Sequence, residues 1–207
     1  MELITLDEQF TDKSNNWWTG KDDNGCCDIV DSHYIMEHTR ETGDYSAWKT
    51  IPIVESKAFS FEASFKFING YDKNGFGFLW GQKSQRNSDD MYSGFHYFVI
   101  SASGWFVIRS YNPQTKKVEA VKDWNDASHI IKPGENAINV LKIIRFDDNI
   151  DKQIYFLVND QIVFQTNYLP MFGYETGFIV FQNIKIAIDY FKAVFYYDET
   201  LTTKNKY

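Results

Sequence analysis

The chain has 207 residues, 28 acidic against 21 basic for a net charge of −7, with 18% aromatic and 24% charged residues. A chain of this length buries roughly 70% of its unfolded surface without a disulfide or metal staple, and its aromatic content excludes disorder, collagen-like and coiled-coil compositions. The acidic balance, with no cluster of Lys and Arg, excludes a phosphate-tracking binder of DNA or RNA, which needs a basic stripe.

The N-terminal MELITLDEQF carries Glu2 where a secretory leader would be basic, and no long apolar run follows here or later. This predicts cytoplasmic residence and no membrane association. LITLDEQF (3–10) reads as a first strand. Trp17 and Trp18 are adjacent, so in an extended segment they point to opposite sides, and one of them is expected at an edge or contact surface. Cys26 and Cys27 are neighbours about 3.8 Å apart at Cα, too close for an unstrained disulfide. Reduced thiols on opposite faces of a strand are expected instead. Asp22-Asp23-Asn24-Gly25 and Asp72-Lys73-Asn74-Gly75 look like fragments of calcium loops, but the next ligand position falls on Cys26 in one and Phe76 in the other. They read as turns. CDIVDSHYIMEH (27–38) reads as one long strand.

The clearest alternation is AFSFEASFKFI, where Phe59, Phe61, Ala63, Phe65 and Phe67 share one face and Ser60, Glu62, Ser64 and Lys66 the other. Further strands are expected at 75–81, 94–101, 104–110, 137–146, 152–159, 161–166, 176–182 and 184–197, separated by turn signals such as GYDKNG, SASG, Pro133-Gly134 and Asn159-Asp160. KSQRNSDD (83–90) reads as a polar loop within the domain and 202–207 as a loose tail. No capped stripe of helical period appears, so there is no room for the crossovers of a parallel sheet. The expectation is an all-β, two-sheet antiparallel jelly-roll sandwich occupying residues 1–207 as a single domain.

Gly75-Phe76-Gly77-Phe78-Leu79-Trp80-Gly81, then Tyr97 to Ser101, Gly104 to Ile108, Trp124 to Ile130, Asn139 to Arg145, Phe156 to Asp160, Gly177-Phe178 and Ile188 to Phe191 follow one another in a telling order. From roughly Phe59 to Phe195 the chain resembles bacterial domains of the concanavalin A-like lectin/glucanase superfamily. That resemblance implies a jelly roll and admits lectins, carbohydrate-binding modules, glycoside hydrolases and protein binders. The Glu-x-Asp-x-x-Glu strand of the glucanase-like branch is missing. Where a branch of sugar hydrolases has Gly-Tyr-Glu-x-Gln, this chain reads Gly94-Phe95-His96-Tyr97-Phe98, without the acid.

The chemistry-bearing residues narrow the choice further. Glycoside hydrolysis needs two carboxyls across a cleft; Glu62 is the best single acid and reads as solvated, while Asp123, Asp126 and Asp189 form no recognisable pair. His33, His38, His96 and His129 lack zinc-site spacing. Gly75, Gly77 and Gly81 lack both the spacing and the following helix of a nucleotide fingerprint. No cofactor or metal is expected. Sugars are held by rings stacked on their C–H faces with amides, carboxylates or Arg fixing the hydroxyls. Trp80, Tyr92, His96, Trp105, Arg109 and Trp124 lie on or beside strands that would form one sheet face, with Asn87 in the adjoining loop. These seven form the expected binding site. The leading expectation is a non-catalytic binding module holding carbohydrate on an aromatic-lined concave sheet. An intracellular protein–protein interaction domain is the alternative, and a glycoside hydrolase with an unrecognised acid pair the third. Neither oligomeric state nor ligand identity has a signature in the sequence.

Overall fold

A computed structural model describes residues 1–83, 94–146 and 153–197. The loop expected at 83–90 lies, apart from Lys83, outside the described residues, as does the tail from 202. The chain begins with β1 (Glu2–Glu8), β2 (Gly20–Lys21), β3 (Gly25–Val30), β4 (His33–His38) and β5 (Asp44–Thr50). There follow β6 (Phe59–Gly70), β7 (Gly75–Gln82), β8 (Phe95–Ser101), β9 (Trp105–Asn112) and β10 (Lys117–Asp126). It ends with β11 (Ile138–Arg145), β12 (Gln153–Val158), β13 (Gln161–Asn167), β14 (Glu175–Phe181) and β15 (Ile184–Tyr197).

Two antiparallel sheets face each other. One has nine strands in the order β13-β12-β11-β6-β15-β4-β3-β2, with β1 also paired to β15. The other has six, in the order β10-β9-β8-β7-β14-β5. β15 spans the first sheet: one edge pairs with β6, while the other is shared by β4 against Ile184 to Ile188 and β1 against Phe191 to Tyr197. Among the described residues there is no helix, and the all-β jelly-roll sandwich stands as the sequence predicts.

Period-two alternation explains which side of each strand fills the interior. Phe59, Phe61, Ala63, Phe65 and Phe67 of β6 are buried, facing Phe76, Phe78 and Trp80 of β7 and Phe178 of β14. Phe178 meets Phe65 edge-on at 5.7 Å and 85° and Phe191 at 5.6 Å and 89°, the arrangement that ring quadrupoles favour. The stretch between β1 and β2 contributes as well. Phe10 and Trp17 dip into the core, Trp17 stacking on Phe178 at 4.9 Å. The buried Glu8 carboxylate accepts the Phe10 backbone N–H at 2.7 Å and the Trp17 indole N–H at 3.1 Å. A buried acid is tolerable because both of its oxygens are used.

Several expectations resolve as turns and edges. Trp18 is exposed while Trp17 is buried, and Cys27 is buried while Cys26 faces the other side. The first Asp/Asn cluster is an Asx turn, with Asp22 Oδ1 accepting the backbone N–H of Asn24 at 2.7 Å and of Gly25 at 3.1 Å. The single strand expected at 27–38 is two strands. Asp31 and Ser32 both have positive φ, 50° and 57°, the primed hairpin turn whose twist matches its flanking strands. Two further strands, β5 and β10, carry too few apolar residues to stand out in the sequence. Both are edge strands, and ladder hydrogen bonds to β14 and β9 hold them.

Candidate functional site

The six-stranded sheet has a second apolar side. Its inward positions belong to the core, while Leu79, Phe95, Tyr97, Val99, Val107 and Ile179 form a separate cluster on the outward side, packed with Trp48, Tyr111 and Phe181. β7 and β8 are therefore buried on both faces along their whole length. Tyr97 meets Phe181 edge-on at 5.4 Å and Phe95 stacks on Tyr111 at 5.4 Å and 18°. Gly75 lets this layer close: a Cβ there would stand 2.6 Å from Val99 Cγ2 and 2.8 Å from Phe181 Cδ2. This aromatic floor was not singled out in the sequence, because a strand such as FHYFVIS with rings on both sides shows no polar face. The lack of alternation is itself the signal that could have found it.

The floor leads to an edge where β9 and β10 run together. Across the ladder Tyr97 lies opposite Arg109, Arg109 opposite Ala120, and Trp105 opposite Asp126. Between Lys122, opposite Ile108, and Asn125, opposite Phe106, β10 carries one extra residue, so that Asp123 and Trp124 together oppose Val107. Such a bulge re-aims side chains at a sheet edge. Trp105 is 43% and Trp124 37% exposed, and among the described residues no aromatic ring packs on either. Arg109 Nη2 reaches Asp123 Oδ1 at 3.5 Å. Burial raises the Tyr97 phenol pKa, opposed by Arg109 and aided by Asp44. At the opposite edge Asp44 touches solvent yet is crowded by protein. That desolvation holds its carboxyl above the usual range, with His38 opposing.

Trp105, Arg109 and Trp124, three of the expected site residues, are thus brought together. Two others are not. Trp80 is wholly buried on the inward side of β7, against Phe156 at 5.7 Å and His96 at 5.1 Å. It follows Phe76 and Phe78 in the inward alternation and is a core residue. His96 is also inward and buried. Its Nε2 donates to the Pro170 carbonyl at 3.0 Å, which fixes the proton on Nε2, and burial lowers its pKa to about 4. Neither ring reaches the outward face. Asn87 and Tyr92 lie outside the described residues.

Glu62, the best single acid in the sequence, is on the far side of the nine-stranded sheet. It holds Lys142 at 2.7 Å and the Tyr190 hydroxyl at 2.9 Å. Burial acts to raise its pKa, but these bonds prevail and hold it below the ordinary range. It is an ion-paired sheet residue, where a solvated one was expected. Among the described residues no group of three or more His, Cys, Asp or Glu side chains is placed to hold a metal.

The chain matches no family model, and no curated protein matches its sequence. Its fold is nevertheless shared widely among solved structures. A protein of unknown function with a galectin-like fold from Bacillus subtilis superposes with a TM-score of 0.59 at 11% identity, covering 91% of this chain and 94% of the other. The carbohydrate recognition domain of Emp47p gives 0.58 at 15% identity, covering 91% and 93%. The carbohydrate-binding module CBM66 from Bacillus subtilis gives 0.56 at 11% identity, covering 84% and 94%. At such identities what is shared is the fold, a lectin-like β-sandwich. Sites are grafted onto folds independently.

Proposed function

We propose that this chain is a non-catalytic carbohydrate-binding module, a single jelly-roll domain of the concanavalin A-like superfamily, that takes its ligand on the outward face of the six-stranded sheet. The observation that carries this reading is the β9–β10 edge: two partly exposed indoles, Trp105 and Trp124, flanking an Arg109–Asp123 pair above an aromatic floor. Rings at 43% and 37% exposure, with no aromatic neighbour among the described residues, offer faces on which sugar C–H groups stack. The adjacent guanidinium and carboxylate supply a donor fork and an acceptor for hydroxyls. The similar folds of a carbohydrate recognition domain and a carbohydrate-binding module support the same reading. It requires no acid pair, no metal and no cofactor.

The test is binding of the purified chain to a broad glycan array, with Trp105→Ala and Trp124→Ala singly and together. Saturable binding is expected, weakened about tenfold or more by each substitution, since an aromatic contact in a site is worth on the order of 1–2 kcal/mol. Absence of binding to any glycan overturns the reading. A protein partner for the same apolar face then becomes the next hypothesis to test.

A further inference from the structure

We infer, resting on that carbohydrate reading, that the preferred sugar is an acidic one, whose carboxylate or sulfate group is received by Arg109. Among the outward residues of β5, β14, β7, β8 and β9 that are described, Arg109 is the one cation. Apart from its interaction with the Tyr97 phenol, its guanidinium is loosely held. Among the described residues its one ion pair is long, 3.5 Å, to an Asp123 side chain that is 78% exposed, whereas a well-made Arg–carboxylate bond is about 2.7–2.9 Å. Its Nε lies buried with no hydrogen-bond partner. Two other cations are engaged more tightly: Lys142 holds Glu62 at 2.7 Å, and Arg145, though its Nε is likewise unpartnered, donates to the Lys57 carbonyl at 2.9 Å while stacking 4.4 Å over Tyr168. Arg145 braces the fold. Arg109 braces little and remains one-third exposed.

Its surroundings suit an anion carried on a ring. The Tyr97 phenol lies directly across the ladder, and the bulge sets Trp124 opposite Val107, the next outward position along β9. A sugar ring lying on Trp124 thereby brings a charged substituent within reach of the fork, displacing the loosely held Asp123. The planar guanidinium is matched to the paired oxygens of a carboxylate or sulfate. General electrostatic attraction does not explain such a preference, because the chain carries a net charge of −7 and Asp44 flanks the same face. Among the described residues, selectivity for an acidic ligand rests on this one local cation.

The experiment measures affinity for an oligomer of hexuronic acid, its carboxyl-reduced counterpart, a sulfated oligosaccharide and a neutral oligosaccharide. Each is titrated against the wild-type chain, Arg109→Gln and Arg109→Lys, with melting temperatures confirming that the variants fold. The acidic ligand is expected to bind at least tenfold more tightly than its reduced counterpart. Arg109→Gln abolishes the preference, and Arg109→Lys, a point charge without the fork, restores part of it. The uronate and sulfate arms identify which anion is received. Equal affinity for the acidic and reduced forms, or a preference that survives Arg109→Gln, overturns the inference while leaving carbohydrate binding intact. Failure of every glycan to bind overturns both.

Discussion

His96 shows how one buried side chain ties stability to pH. Desolvation lowers its pKa from 6.5 to about 4, its bond to the Pro170 carbonyl opposing this only in part. A histidine that resists protonation only in the folded state adds stability that is complete above its unfolded pKa and is lost as pH falls through the folded one. The window therefore runs from about pH 6.5 down to about 4, and the full effect is on the order of 3 kcal/mol. His38 is displaced in the same direction, chiefly by burial. Denaturant unfolding of the wild type and His96→Gln at pH 7, 5.5 and 4 checks this. The variant is expected to be less stable at pH 7 but to lose markedly less on acidification. Parallel loss in both proteins would assign the acid sensitivity to other groups.

At the scale of elements, the β12–β13 hairpin is held by its turn residue. Asn159 and Asp160 have φ of 51° and 63°, as a primed turn requires. The Asn159 side chain accepts the Val140 N–H at 3.0 Å and donates to the Ile130 carbonyl and to Asn139 Oδ1, both at 2.9 Å. Buried Asn139 in turn bonds both backbone groups of Lys132. Asn159→Gly keeps the left-handed backbone comfortable and removes only these bonds, so a loss of about 2 kcal/mol is expected from urea titration. A glycine variant as stable as the wild type would assign the role of Asn159 to its φ alone. This turn was legible in the sequence, as were the strands whose one face is buried, because Asn-Asp after an apolar run and period-two alternation both have local causes. The Asp31-Ser32 turn was hidden inside 27–38 by apolar residues on either side. Edge strand β5 owes its form to β14, distant in sequence, while edge strand β10 pairs with β9 just before it and is interrupted by register shifts that break its alternation. The expected site residues divided in the same way: Trp105, Arg109 and Trp124 share the outward β9–β10 edge, whereas Trp80 and His96 occupy inward positions that strand parity assigns to the core.

For the whole molecule, that parity separates two tasks within a single sheet. Inward positions of the six-stranded sheet close against the nine-stranded one and carry stability, while outward positions at its β9–β10 edge leave Trp105 and Trp124 partly exposed, where the proposed ligand would lie. Trp80 and Trp105 are the same residue type on the two sides of that division, the first fully buried and the second 43% exposed. Trp80→Ala removes a large core side chain and is expected to cost about 3–5 kcal/mol, lowering Tm by roughly 10 °C or more for a chain of this size. Trp105→Ala removes a ring that no other ring among the described residues supports and is expected to shift stability by no more than about 1 kcal/mol, or roughly 3 °C. Glycan affinity should respond in the opposite sense, falling with Trp105→Ala and, below the melting transition, holding in Trp80→Phe, which keeps an aromatic ring in the core. Calorimetry paired with binding isotherms on the three variants checks both halves. A Trp105→Ala protein that melts as early as Trp80→Ala would make the outward aromatics structural and withdraw them from any ligand.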